Sequence, residues 1–385
     1  MKIAMVLSTV AAIMKARSGS ERAADGLANA LSELGHEIYI TNLLNRSVRW
    51  GEDFDVLHCI NAGGPKGPYL NAIQTARRQN IPVVTSPIYW HINQQMAEED
   101  TVLDRTATGQ AEWAAVLREW KKQTRLLFME SDLLLPNAER EMEAVVELLQ
   151  DDPELVSGYG QIPPYAVIPN AVDIENEILP VERGEEKLPK ELELKLAERF
   201  ILCVGRIEVR KNQSRLVEAM KRIWEKDPHL QLVLVGRAST PYIQKHSGLW
   251  QGWPILVHDE TTPRRVLELM RRCTAYAQPS LLETPGLATL EAAALGKPIV
   301  SGTCATEEEY FGEHAHYCDP MSVDSIHRAL LDAIAEAEDS PEVLSPSMQE
   351  RATHIRQRYN YKRAGELLEE QYRRAIATVH SGGGE

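Results

Sequence analysis

The sequence predicts an α/β protein built from two doubly wound domains of parallel strands. Strand and helix signals alternate along the chain, which is the pattern of repeated β-α-β units. At 385 residues the chain is long enough for two such domains. A charged segment, 173–198, carries Pro180 and Pro189 and predicts a linker with a short helix. We therefore expect a first domain over 1–172 and a second over 199–355.

The first domain is expected to open with a β-α-β unit. Residues 2–7 predict a strand, 21–34 have helical periodicity that ends at Gly35, and 37–41 predict the next strand. The alternative is a secretion signal over 1–14, whose cleavage would delete the first strand, so the strand is favoured. Further strands of this domain are predicted at 56–60, 82–85, 133–135 and 166–168.

The second domain repeats the alternation. Its strands are predicted at 200–204, 231–235, 255–257, 275–278 and 298–301. A helix is expected to open at Lys211 and run to about Lys226, and another to run from Leu287 to Gly296. Residues 356–379 predict a terminal helix.

Composition and charge restrict the class of protein. A hydrophobic content of 43% and a charged content of 25% are ordinary for a soluble globular protein. The formal net charge of −14 disfavours nonspecific binding to nucleic acid. Five scattered cysteines without a Cys-x-x-Cys pair favour reduced thiols in a cytoplasmic protein. No run of apolar residues is long enough to span a membrane.

The run from Pro279 to Pro298 carries two acidic residues, Glu283 and Glu291. Helix signals place Glu283 just before a helix and Glu291 inside it, roughly 10 Å apart along the axis. The first-turn N–H groups at Gly286 form an anion site that suits phosphate. The carboxylates would repel phosphate and bind hydroxyl groups on either side of it, which is the layout of a nucleotide-sugar. The alternative is an amphipathic helix with two solvated glutamates.

Two cations upstream favour the ligand over that alternative. Arg206 follows the predicted strand 200–204, and Lys211 lies at the start of the next helix. Ligands of open α/β sheets bind at the carboxyl ends of the strands, where both residues are expected. Together they can neutralise a diphosphate, whereas either alone would be an ordinary surface cation.

Several motifs of the second half occur in one order. They are Val204-Gly-Arg206 with Lys211-Asn212, Leu234-Val-Gly236, Glu283-Thr-Pro-Gly286 and Glu291-Ala292. Together they resemble the signature of the family 4 retaining glycosyltransferases, also called glycosyl transferases group 1, which have the GT-B fold. Residues 167–173 resemble the end of the first domain in that family, with Ala171 where relatives usually have Gly. The resemblance is strong over roughly 165–320 and weaker over the first half.

The resemblance implies two Rossmann-like domains that face each other across a cleft, with a helix at 356–380 that crosses back to the first domain. It implies transfer of a sugar from a nucleoside-diphosphate sugar, with UDP-sugars favoured, to a saccharide or lipid-linked acceptor. Such reactions belong to polysaccharide or glycoconjugate synthesis. The family retains anomeric configuration and needs no metal or other cofactor.

The resemblance also assigns roles. Arg206 and Lys211 would stabilise the departing diphosphate, and Glu283 would orient the sugar, so these three are the catalytic candidates. Glu291 would bind the ribose, and Val257 with His258 would line the base pocket. The remaining donor-binding candidates are Gly19, His91, Thr284, Pro285, Gly286 and Leu287. Gly19 is equally well explained as a turn glycine, and His91 as a structural histidine.

Two other patterns in the sequence each have two interpretations. His314, His316 and Cys318 alternate as zinc ligands would, but a fourth ligand is missing and a plain strand is favoured. The segment 112–127 carries cations beside an apolar stripe, and this pattern fits a packed helix or a helix that contacts the inner face of a membrane. The oligomeric state stays open.

Two other classes of function compete with the transferase. A nucleotide-sugar 2-epimerase on the same fold would need acid and base groups in the cleft. A non-catalytic scaffold would be expected to have lost Arg206, Lys211 or Glu283, and all three are present.

Overall fold

The computed structural model describes the chain except for residues 8–18, 43–53, 61–66, 91–106, 239–245, 247, 249, 260, 340–343 and 383–385. The described residues form two compact units. The described residues of 1–90, 107–171 and 361–382 form one unit, and those of 172–360 form the other.

Parallel strands form the sheet of the first unit in the order β2-β1-β3-β4-β5. They are β1 (Lys2–Leu7), β2 (Glu37–Asn42), β3 (Val56–Ile60), β4 (Val83–Ser86) and β5 (Leu133–Leu134). The helices that follow in the chain are α1 (Gly19–Glu33), α2 (Gly67–Arg78), α3 (Ala107–Met129), α4 (Glu139–Gln150) and α5 (Pro153–Tyr159).

The second unit has its own parallel sheet, in the order β11-β10-β9-β6-β7-β8. The strands are β6 (Phe200–Val204), β7 (Gln231–Val235), β8 (Ile255–His258), β9 (Ala275–Gln278), β10 (Ile299–Gly302) and β11 (His316–Cys318). The helices are α6 (Leu179–Glu182), α7 (Lys190–Glu193), α8 (Gln213–Trp224), α9 (Pro263–Arg272), α10 (Leu287–Ala294), α11 (Glu307–Phe311), α12 (Val323–Glu338) and α13 (Pro346–Arg358). A π-helical turn at Ile174–Ile178 precedes α6. The prediction of two Rossmann-like α/β domains is confirmed.

The last helix, α14 (Tyr361–Gly382), belongs to the first unit and packs on α1. Its Gly365 faces Ala30, and a Cβ at position 365 would lie 2.9 Å from the Ala30 Cβ. The ring of Tyr361 lies against Gly26 of α1. Small residues at two positions therefore let these helices approach closely.

The side chains of β1 alternate between two cores, as the twofold period of a strand requires. Ala4 and Val6 pack in a cluster with residues of α2, α3 and α4. Ile3 and Met5 pack in a second cluster with residues of α1 and α14. Helices therefore cover both faces of the sheet.

Three predicted elements differ from the structure. The strand predicted at 166–168 is absent from the described strands, and only Tyr165 forms a bridge with Leu134 of β5. Pro136 and Pro164 flank this pairing and lack the N–H groups that a longer ladder needs. The terminal helix predicted at 356–379 is two helices, α13 and α14, because the backbone at Tyr359 leaves the helical region.

The third difference concerns the helix expected to open at Lys211. Residues 209–211 form a 3₁₀ turn, and α8 begins only at Gln213. Asn212, between the two, has φ of +60°. The segment predicted as a linker, 173–198, lies in the second unit with Val181 and Leu192 buried.

Candidate active site

The order of strands in the second sheet marks where a ligand is expected. From β6 the chain proceeds to β7 and β8 on one side, and then returns to β9, β10 and β11 on the other side. The direction reverses between β6 and β9, and ligands of such sheets bind outside the carboxyl ends of the strands at this switch point. The segments 205–212 and 279–286 follow those two strands.

Two glycines let the ends of β6 and β7 approach each other. Gly205 has φ of +142° and Gly236 has φ of +146°, values that L side chains rarely adopt. A Cβ at position 236 would lie 2.1 Å from the carbonyl oxygen of Gly205. The Gly-Arg and Val-Gly motifs of the sequence therefore have a backbone role at this edge of the sheet.

Lys211 and Glu283 meet at the switch point, although they are 72 positions apart in the chain. The Lys211 Nζ donates to Glu283 Oε2, and their side chains are only 11% and 12% exposed. Burial by itself would raise the pKa of Glu283, but the attraction of Lys211 and Arg210 outweighs burial and lowers this pKa below its ordinary value. The Glu283 carboxylate is therefore charged at neutral pH.

Arg210 is a second cation at the same carboxylate, and it is not among the residues predicted from the sequence. Its Nη1 lies 3.7 Å from Glu283 Oε2 and donates to the carbonyl of Leu282 over 3.1 Å. Glu208 holds Arg210 from the other side, at 3.2 Å, and also contacts Arg206 Nε at 3.2 Å. Arg206 is 55% exposed. The only sequence signal for Arg210 is its place beside Lys211.

A buried series of hydrogen bonds ends on the same carboxylate. The Tyr276 hydroxyl donates to Gln278 Oε1 over 2.9 Å, and Gln278 Nε2 donates to Ser280 Oγ over 2.8 Å. Ser280 Oγ then donates to Glu283 Oε2 over 3.4 Å. Tyr276 and Ser280 are fully buried. Every donor in the series points toward Glu283, which favours its ionised form.

The helix expected after the Pro-Gly turn is present as α10 and starts at Leu287. Thr284 and Pro285 form the turn, and Gly286 has φ of +86°. A Cβ at position 286 would lie 2.8 Å from Glu283 Cγ, so Gly286 leaves space for that side chain. The first-turn N–H groups of α10 therefore lie beside the Lys211–Glu283 pair.

Residues 184–351 match the family model described as glycosyl transferases group 1. The match lies within the second unit and spans less than half of the chain, so it is this unit that is similar to the family. Of the motifs that suggested the family, Gly205-Arg206, Lys211-Asn212 and Glu283-Thr-Pro-Gly286 lie on the two segments at the switch point.

Curated relatives are similar to this chain over less than half of its length. This chain is 25% identical over 179 residues to D-inositol 3-phosphate glycosyltransferase of Corynebacterium glutamicum. The match covers 44% of this chain and 41% of the relative. This chain is 32% identical over 185 residues to the enzyme of that name from Stackebrandtia nassauensis, 45% of this chain and 39% of the relative. The matches thus span about two fifths of these relatives.

Solved structures align with this chain over nearly its whole length. Sucrose-phosphate synthase from Thermosynechococcus elongatus aligns with a TM-score of 0.70 at 14% identity, covering 98% of this chain and 100% of that chain. HepE of Anabaena, solved with UDP-glucose, aligns with a TM-score of 0.67 at 13% identity, covering 96% and 99%. These likenesses confirm the GT-B fold.

The remaining donor-binding candidates among the described residues lie on other elements of the fold. Glu291 lies inside α10 and is 4% exposed, so it is not the solvated glutamate of the alternative interpretation. Val257 and His258 end β8, which β7 separates from β6. Gly19 is exposed at the start of α1, and His91 lies outside the described residues.

The residues weighed as zinc ligands make separate contacts. His316 Nε2 lies 2.8 Å from Glu336 Oε2, while the Cys318 thiol is buried and donates to the Ser301 carbonyl. Among the described residues no group of three or more His, Cys, Asp or Glu side chains is arranged to hold a metal ion. The described part of the chain also has no helix long and apolar enough to cross a membrane.

Proposed function

We propose that this protein is a retaining glycosyltransferase that uses a nucleoside-diphosphate sugar, with UDP-sugars favoured. The acceptor is a saccharide or a lipid-linked saccharide, and the product enters polysaccharide or glycoconjugate synthesis. The match of residues 184–351 to the model of glycosyl transferases group 1 supports the transfer of a glycosyl group. The choice of UDP is supported by HepE, which has the same fold and was solved with UDP and with UDP-glucose.

The Lys211–Glu283 pair at the switch point is the observation that carries this proposal. A carboxylate and an ammonium group lie beside the N-terminus of α10 and are largely withdrawn from water. A helix N-terminus and a lysine suit phosphate, while a carboxylate beside them suits a sugar hydroxyl. One end of a nucleotide-sugar therefore finds both partners it needs within one cluster.

The proposed reaction assigns each charged group a task. As the bond between the anomeric carbon and the diphosphate breaks, negative charge grows on the leaving phosphate. Lys211, Arg206 and the first-turn amides of α10 stabilise that charge. Glu283 accepts hydrogen bonds from sugar hydroxyls and holds the anomeric carbon in place. Glu291, further along α10, binds the ribose.

The acceptor is proposed to attack from the side of the departing phosphate, which retains the anomeric configuration. The leaving phosphate oxygen takes the proton of the acceptor hydroxyl, so no separate protein base is needed. The cations at positions 206 and 211 supply the positive charge that a metal ion provides elsewhere. We therefore propose a reaction without metal or other cofactor.

A cytoplasmic location, with contact to the inner face of a membrane through α3, is the remaining part of the proposal. In the described part of α3, Trp120 stacks on Tyr89 at 6.0 Å, and Phe128 is fully buried. Arg118 and Lys122 are exposed. The apolar side of this part packs in the core, so contact with anionic lipid would rest on the exposed cations.

Labelled UDP-, GDP- and ADP-sugars test the proposal directly. Incubation of the protein with each donor should give transfer to an added saccharide, or slow hydrolysis of one donor, with release of the nucleoside diphosphate. An epimerised donor would instead indicate an epimerase. No turnover and no nucleotide binding with any of them would favour a scaffold and contradict the proposal.

Lys211→Ala tests the site within that assay. We expect the turnover number to fall by about 10²–10³, the usual cost of removing one group that stabilises transition-state charge. Arg210 remains beside Glu283 as a counter-charge, and thermal unfolding will check the fold. Lys226→Ala, which removes an exposed lysine just beyond α8, is the matched control and should retain normal turnover. Normal turnover in Lys211→Ala would refute the site.

A further inference from the structure

Asn212 follows Lys211 directly and is unusual in both its backbone and its side chain. It has φ of +60° and ψ of 27°, and it is 1% exposed. Its Nδ2 donates to the carbonyl of Pro279 over 2.9 Å and to the carbonyl of Pro320 over 2.7 Å. Its Oδ1 accepts from Arg215 over 3.0 Å. The buried carboxamide is therefore satisfied at both ends.

Neither ordinary role of an asparagine explains this residue. A left-handed backbone alone is better served by glycine, which has no Cβ to strain. An asparagine just before a helix usually caps it by accepting from the first turn, but α8 receives no such bond from Asn212. The carboxamide instead reaches across to other segments of the domain.

Those segments belong to the carboxyl edge of the sheet. Pro279 opens the segment that follows β9 and leads to Glu283, and Pro320 follows β11. A backbone bond from Leu281 N to the Arg210 carbonyl, at 2.8 Å, joins the first of them to the Lys211 segment as well. One side chain thus fastens the segment after β6 to those after β9 and β11.

We infer that Asn212 is a positioning residue, which holds Lys211 against Glu283 by clamping these three segments together. Its left-handed backbone ends the 3₁₀ turn that carries Lys211, and its carboxamide fixes that turn to the segment of Glu283. Removal of the carboxamide should release Lys211 while the backbone conformation is kept. The expected fall in turnover number rests on the proposed function. The expected change in the position of Lys211 does not.

Two variants separate backbone from side chain. Asn212→Gly keeps the left-handed conformation and removes the carboxamide. Asn212→Asp keeps the shape but turns an oxygen toward two carbonyl oxygens. Asn80→Gly is the matched control, because Asn80 also has positive φ, of 56°, but lies exposed in the turn after α2.

The first measurement needs no substrate. Acetic anhydride is added to each folded variant, and mass spectrometry of the peptide that contains Lys211 gives the rate of its acetylation. We expect Asn212→Gly and Asn212→Asp to raise this rate by about tenfold, on the order of the effect of one lost buried hydrogen bond. Asn80→Gly should leave it unchanged. An unchanged rate in both Asn212 variants, with folding verified by circular dichroism, overturns the inference.

The second measurement is a double-mutant cycle in the donor assay. Asn212→Gly should lower the turnover number in the parent protein but have little further effect when Lys211 is already alanine. Equal losses in both backgrounds would show a general structural role and overturn the inference. If the parent protein turns over no donor, the proposed function fails while the acetylation measurement still decides the role of Asn212.

Discussion

At the scale of single residues, the main feature of the site is a pair of charged side chains that are largely buried. The Glu283 carboxylate is largely buried and forms an ion pair with Lys211. Removing one partner of a buried ion pair typically lowers the free energy of unfolding by about 3–5 kcal/mol. Lys211 and Arg210 both face the same oxygen, Oε2. If Lys211 turns toward a phosphate, as proposed, Arg210 and the Ser280 hydroxyl remain beside the Glu283 carboxylate. Arg210 would thus leave Lys211 available for the proposed ligand.

Gly236 offers a test of the backbone that supports this cluster. Gly236→Ala places a Cβ 2.1 Å from the Gly205 carbonyl oxygen, in a backbone conformation with φ of +146°. Since the clash is with backbone, no side chain can move to relieve it. We expect a loss of stability of about 3 kcal/mol or more, measured by urea unfolding, together with loss of nucleotide binding.

Gly158→Ala is the control for that substitution. Gly158 lies in α5, and a Cβ there would meet nothing within 4 Å. Alanine in a helix should raise the free energy of unfolding by about 0.5–1 kcal/mol relative to glycine. If Gly236→Ala and Gly158→Ala had the same free energy of unfolding and the same nucleotide binding, Gly236 would not be needed for the close approach of the ends of β6 and β7.

At the scale of elements, the sequence predicts regular structure well where the pattern is long. The strands at 200–204, 231–235 and 275–278 and the start of α10 at Leu287 agree with the structure. The pattern failed around Lys211, because a left-handed Asn212 depends on carbonyls that lie 67 and 108 positions away. Contacts of that range leave no periodic signal in the local sequence.

For the candidate site, the sequence predicted individual residues but not the contacts between them. Charge and helix signals identified Arg206, Lys211 and Glu283, since each lies at the end of a predicted strand or beside a helix start. They could not show that Lys211 pairs with Glu283, or that Arg210 joins them. Pairing across the switch point follows from strand order, and strand order is a property of the folded sheet.

His58 of β3 forms hydrogen bonds with α14 and β4, and from its burial we predict how the stability of the first domain changes at acidic pH. The ring is buried in β3, with Nδ1 2.7 Å from the Tyr372 hydroxyl of α14 and Nε2 2.9 Å from Ser86 Oγ of β4. Burial lowers the pKa of His58 to about 3. In the unfolded chain the ring titrates near 6.5, so below that pH the unfolded state binds a proton that the folded state does not.

The contribution of His58 is therefore present above pH 6.5 and lost as the pH falls toward 3. By pH 5 the loss should reach about 2 kcal/mol. We expect His58→Asn, which does not titrate, to be less stable than the parent at pH 7.5 but to lose less stability on acidification. Hydrogen exchange of peptides from β3 and α14 between pH 7.5 and 5 measures this difference. Parallel losses in both proteins would contradict it.

At the scale of the whole molecule, the two units differ in how the chain builds them. The second unit is continuous from 172 to 360, whereas the first needs α14 from the end of the chain. Leu368, Tyr372 and Ala375 of α14 are buried in the core that also holds Ile3 and Met5. One face of the first sheet is therefore incomplete until the last helix has been made.

This difference predicts the behaviour of fragments. A fragment of residues 172–360 retains both sheet faces and every contact of Lys211 described above, so it should unfold cooperatively and bind UDP. A fragment of residues 1–171 lacks α14 and exposes the buried side chains that pack against it, so it should not unfold cooperatively. Adding a peptide of residues 361–385 to that second fragment should restore a cooperative transition, because it returns the missing face.

Circular dichroism in urea and calorimetric titration with UDP measure these outcomes. In the first fragment, Lys211→Ala should weaken the binding of UDP by about tenfold or more, since a charge-assisted contact with phosphate is lost, and Lys226→Ala should not. If the fragment of residues 172–360 folds but does not bind UDP, the residues described in the second unit are not sufficient to bind the nucleotide. Cooperative unfolding of residues 1–171 alone would show that the core of the first unit closes without α14, contrary to the burial of Tyr372 against its sheet.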